Sequence, residues 1–152
     1  MVAAEEVLPF IDRHSVEVDA DPAATWEALQ LVLTRSLGSK SSGLVARGLG
    51  CMDTAGPGDR PLSEGSTLPG FRIATFRPSS ELTLVGRHRF SRYEMVFGLI
   101  PTGPGRTELS VETRAAFPGL KGSLYRGLVI GSGAHVLVNR RLLDAVRQGA
   151  LG

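Results

Sequence analysis

The chain has 152 residues, 42% of them hydrophobic, which suits one domain (1–152) with a substantial core and leaves too little for a second. Basic and acidic residues number 17 and 15, for a net charge of +2; with only one Trp, two Tyr and six Phe besides, the sequence lacks the basic, aromatic-studded surface that nucleic-acid binding requires. Cys51 is the sole cysteine, which excludes an intramolecular disulfide, a CxxC zinc site and a redox pair, and makes the cytoplasm the expected setting.

Met1 to Glu6 lacks the basic start and apolar run of a secretion signal. No later stretch reaches about 18 uninterrupted apolar residues, so no membrane insertion is expected. Residues Ile11 to Asp19 alternate, with His14, Val16 and Val18 on one side and Arg13, Ser15 and Glu17 on the other, the period of a half-buried strand. Asp21-Pro22 then reads as a helix start, because Asp caps free backbone N–H groups and Pro fits the first helical position. From Ala23 to Leu37, Trp26, Leu29 or Gln30, Leu33 and Leu37 fall near one face, and Gly38 is the expected stop. The Gly-, Ser- and Pro-rich stretch 39–69 holds one strand candidate, Leu44 to Met52.

Four clearer strands follow: Gly70 to Arg77, Glu81 to Phe90, Tyr93 to Ile100 and Arg106 to Phe117. Treating Ser91-Arg92 as a two-residue turn opposes Phe90 to Tyr93, His88 to Met95, Gly86 to Phe97 and Leu84 to Leu99. The apolar sets of both strands then share a face that continues through Leu109, Val111, Thr113 and Ala115. Arg87, Arg89, Glu94, Glu112 and Arg114 fall on the other side, where Glu112 and Arg114 read as a surface ion pair. A long helix is predicted from Gly119 to Gln148. At about 100° per residue it gathers Leu124, Leu128, Gly131, His135, Val138, Leu142 and Val146 on one face, with a bend allowed at Gly131-Ser132-Gly133.

The segments Val16 to Pro22 with Trp26, Gly86 to Tyr93, and Glu112 to Gly119 with Tyr125-Arg126 resemble a bacterial branch of the START-like, helix-grip superfamily, also called SRPBCC and polyketide cyclase-like. The resemblance implies an α+β fold in which a curved antiparallel sheet wraps a long C-terminal helix, with a ligand cavity between the two. Superfamily members include lipid and sterol carriers, hormone-binding proteins, aromatic polyketide cyclases and oxygenase ligand domains, so the fold alone does not select a function.

Within that frame Leu84, Phe90, Met95, Phe97, Val111 and Leu128 are expected to supply apolar contact, Gly131 to leave room, and His88, Tyr93 and His135 to orient a ligand, with His14 or Tyr125 as further polar candidates. Each His taken alone is more simply a hydrogen-bonded core residue. No HxH or HExxH spacing occurs, so no metal is expected, and GxSxG, GxxxxGK[ST] and GxGxxG are absent, so neither an acyl-enzyme nor a nucleotide cofactor is. The leading expectation is a non-enzymatic carrier or sensor of a small apolar or aromatic molecule, needing a void of about 300 Å³. The alternatives are a cyclase or dehydratase-like enzyme using the same cavity and a protein-binding module with a filled core. A homodimer is compatible with all three.

Overall fold

The computed structural model describes residues 7–37, 62–87, 91–131 and 133–151. Six strands form one antiparallel sheet: β1 (Phe10–Val18), β2 (Thr67–Leu68), β3 (Phe71–Arg77), β4 (Glu81–Arg87), β5 (Arg92–Gly103) and β6 (Arg106–Ala116). Their spatial order is β1-β6-β5-β4-β3-β2, so the first strand crosses over to pair with the last and closes one edge. Among the described residues three helices accompany the sheet: α1 (Pro22–Leu37), α2 (Gly119–Val129) and α3 (Ala134–Ala150). Both α1 and α3 pack on the sheet and on each other.

The helix start at Asp21-Pro22 forms as its residue types require: Asp21 Oδ1 accepts the Ala24 N–H at 2.7 Å, and the Asp21 carbonyl accepts that of Thr25. Trp26, Leu29 and Leu33 are buried, with the Trp26 ring edge-on to Phe76 at 5.1 Å. On β1, Val18 is buried and Val16 partly so, whereas Arg13 and Glu17 pair outward with Glu108 and Arg106 at 3.4 and 3.3 Å. Register carries the buried face straight across the sheet. Val111 opposes His14 and Phe97, and Phe97 opposes Leu82; Thr113 opposes Asp12 and Met95, and Met95 opposes Leu84. This face, α1 and α3 enclose a core of Phe97, Leu29, Leu33, Leu82, Leu84, Val111, Leu143 and Val146.

Three sequence expectations change. Among the described residues the β4–β5 ladder runs to Arg87↔Arg92, so Gly86 faces Tyr93 and Leu84 faces Met95, in place of Phe97 and Leu99. Neither Ser nor Arg readily supplies the positive φ that a tight two-residue hairpin turn needs, and Arg92 belongs to the strand. The offset is an even number of residues, so the described side chains of the two strands keep their predicted face. Second, β5 runs on through Pro101, which the sheet tolerates beside an irregularity in register between Pro101 and Gly103; the turn falls at Pro104-Gly105, with Gly105 at φ 66°.

Third, the predicted C-terminal helix divides into α2 and α3. The Ile130 and Gly131 N–H groups both return to the Arg126 carbonyl, and Gly133 takes a left-handed φ of 75°, which only glycine adopts without strain and which stops helical propagation. The break resets the helical phase. Leu124 and Val138, expected on the seam, are 76% and 51% exposed, whereas Leu142 and Val146 are buried as expected and are joined by Asn139 and Leu143. Gly131 lies exposed at the break. The candidate strand Leu44 to Met52 and the expected stop at Gly38 lie outside the described residues, as do His88 and Phe90.

Candidate functional site

One polar cluster interrupts the apolar inner face. Asp12 and His14, two apart on β1, point the same way, and His135 and Asn139, four apart on α3, share a helix face that meets them. Asp12 Oδ2 lies 2.5 Å from His135 Nε2 and 3.1 Å from His14 Nε2. The side chains of His135, His14 and Asp12 are 13%, 19% and 21% exposed. Beside them Asn139 Nδ2 donates to Thr113 Oγ1 at 3.0 Å, with both residues buried. A helix and an edge strand are thus tied by side-chain hydrogen bonds where α3 begins, and Leu142, Leu143 and Val146 continue the contact as apolar packing.

A carboxylate oxygen can only accept, so both Nε2 atoms carry hydrogen and donate to the same Asp12 oxygen. Among the described residues, two buried atoms of the cluster then stay without a hydrogen-bond partner: Asp12 Oδ1 and, on the far side of its ring, His135 Nδ1. Buried polar atoms are seldom left so, and each costs about 1–3 kcal/mol while unpaired. The arrangement can bind a polar group, and its carboxylate-held imidazole has the geometry that orients a proton acceptor. Among the described residues no group of three or more His, Cys, Asp or Glu side chains is placed to hold a metal ion.

A groove of about 260 Å³ opens beside the cluster, lined by His14, Ser15, Val16, Arg140, Leu143 and Asp144. That is under the 300 Å³ or so typical of drug-sized ligands, yet well above the roughly 150 Å³ of a cavity that holds benzene. His14 belongs to both features, lining the groove and bonding Asp12.

The nine residues expected to line a site fare differently. His135 is joined to Asp12, while Met95 sits one strand inward, opposite Thr113. Phe97 and Val111 are fully buried in the core. The Tyr93 hydroxyl donates to the Gly70 carbonyl at 2.5 Å and its ring meets Phe71 edge-on at 5.2 Å, so it clamps the β3 end of the sheet. The Leu128 side chain, like His88 and Phe90, is outside the described residues. Tyr125 lies against Phe117, with ring centroids 6.2 Å apart. Two residues that sequence reasoning missed are Asp12 and Asn139. Asp12 has the strand parity of His14, and Asn139 stands one helical turn beyond His135, so a search for polar partners at those spacings would have found both.

The order of elements, the antiparallel sheet and the C-terminal helix laid against its inner face define a helix-grip α+β fold. Solved structures share it. A protein from Arthrobacter aurescens superposes with a TM-score of 0.57 at 12% identity, covering 95% of this chain and 92% of its own. A conserved protein from Geobacillus kaustophilus gives 0.56 at 14% identity, covering 91% and 93%. CalU16 from Micromonospora echinospora gives 0.55 at 14% identity, covering 89% of this chain and 70% of its own. At such identities the likeness establishes the fold alone. No family model matches the sequence, and no curated protein does.

Proposed function

We propose that this protein binds a small, largely apolar or aromatic molecule between α3 and the sheet, beside the Asp12–His14–His135 cluster. The observation that carries the reading is the cluster itself: a carboxylate and two imidazoles on an apolar face, with two buried atoms unpaired and an open groove at His14. Ligand sites in general combine apolar walls with a few convergent polar groups, and Val16 and Leu143 are the apolar walls of this groove. Helix-grip proteins often bind ligands, which agrees with the reading without selecting the molecule.

A cyclase or dehydratase-like enzyme is the second reading, favoured by one feature, the bond between Asp12 and His135. A carboxylate that fixes Nε2–H leaves Nδ1 of the neutral ring free to take a proton from a bound substrate. The Tyr93 hydroxyl donates to the Gly70 carbonyl, and neither reading assigns it the proton transfer.

Native mass spectrometry of the full chain purified from its own host tests the binding reading. The expected spectrum contains a second species, heavier by one small molecule, that collapses to the bare chain mass on unfolding. A spectrum of bare chain alone, unchanged when small aromatic compounds are added in excess, contradicts it.

A further inference from the structure

Resting on the binding reading above, the hydrogen-bond inventory of the cluster specifies which polar group the ligand must carry. Asp12 Oδ2 is already occupied by two donors, His14 Nε2 and His135 Nε2. The nearby donor Asn139 Nδ2 is engaged by Thr113 Oγ1. What stays unpaired is the second carboxylate oxygen, Asp12 Oδ1, and the far ring nitrogen, His135 Nδ1, a lone-pair acceptor in the neutral imidazole. In that state both unpaired atoms of the cluster are acceptors, and one belongs to an anion.

We propose that the ligand presents a hydroxyl donor to Asp12, and that a phenol or similarly hydroxylated aromatic is the class this site selects. A carboxylate ligand brings like charge against Asp12 and the groove's Asp144, opposed by one lining cation, Arg140. An ether or ketone brings a further acceptor and leaves Oδ1 unpaired. Hydroxyl hydrogen to carboxylate oxygen is a charge-assisted bond, stronger than a neutral one. Asp12 itself does not line the groove, so binding at Asp12 requires entry past His14, which does and whose 3.1 Å contact to Oδ2 is the longer of the two. Val16 and Leu143 flank that route, and about 260 Å³ accommodates one or two aromatic rings but not a long lipid.

The test compares 2-naphthol, 2-methoxynaphthalene and 2-naphthoate on the full chain by isothermal titration at neutral pH. The expected result is 2-naphthol binding about tenfold or more tighter than its methyl ether, with 2-naphthoate weakest. Asp12→Asn, which replaces the anionic acceptor by an amide, is expected to shrink the naphthol-to-ether ratio to within about threefold. Equal affinity of naphthol and ether for the unaltered chain overturns the hydroxyl assignment while leaving the binding reading in place. Tightest binding of 2-naphthoate overturns the assignment by reversing the charge preference. Failure of all three compounds to bind overturns both. The unaltered-chain comparison decides the matter even if the Asp12 variant does not fold.

Discussion

Gly86 shows how one residue's lack of a side chain fixes the placement of another. A Cβ there would stand 2.2 Å from the Gly70 carbonyl oxygen and 2.3 Å from the Tyr93 ring, contacts no real side chain tolerates. The bare strand position is what lets Tyr93 lie across β4 and reach Gly70. Gly86→Ala should cost at least about 2 kcal/mol and lower the melting temperature, whereas Gly103→Ala, with open space around it, should change stability by less than about 0.5 kcal/mol. Thermal denaturation of the two variants checks this, and equal melting temperatures would contradict the packing account. The sequence carried a trace of Gly86's role, since a glycine inside a strand pattern often marks a close backbone approach. Asp12 was less legible, because a carboxylate on an edge strand is ordinarily solvent-facing, and the partner that turns it inward, His135, stands 123 residues away.

Among the elements, α2 and α3 differ most from expectation and illustrate why periodicity alone misleads across a glycine pair. Hydrophobic spacing predicts one continuous phase from Leu124 to Val146, but the left-handed Gly133 starts a new helix, on which Leu142 and Val146 stay buried and Val138 does not. The strands were more legible, because their period of two survives an even change of register: Leu84, Met95, Phe97 and Val111 kept their inward face although the hairpin partners changed. A division of the helix predicts a division of energetics. Leu143→Ala, at a position 1% exposed, should destabilise by about 2–5 kcal/mol; Leu124→Ala, 76% exposed on α2, should stay within about 0.5 kcal/mol of the parent. Chemical denaturation of the pair reads both values. A large cost at Leu124 would mean that α2 is packed and the predicted seam was right.

At the scale of the molecule, the first and last thirds of the chain meet at one place. Pairing of β1 with β6 brings Asp12 and His14 alongside Thr113, and α3 lays His135 and Asn139 over them, so residues distant in sequence converge on a polar spot beside a groove. Outside that spot the described inner face is largely core, and the outer face carries surface ion pairs such as Arg13–Glu108 and Arg106–Glu17, worth about 0–1 kcal/mol each. The fold was legible because alternation, a capped helix and a terminal amphipathic segment are local signals. The cluster was not, because it exists only once the strand order is known. Intermolecular nuclear Overhauser effects from bound 2-naphthol report whether the cluster is where a ligand sits. The account predicts contacts to the His14 and His135 ring protons and to the Val16 and Leu143 methyl groups; contacts confined to Val96 and Ile100 on the outer face, or to Leu120 and Leu124 on α2, would contradict it.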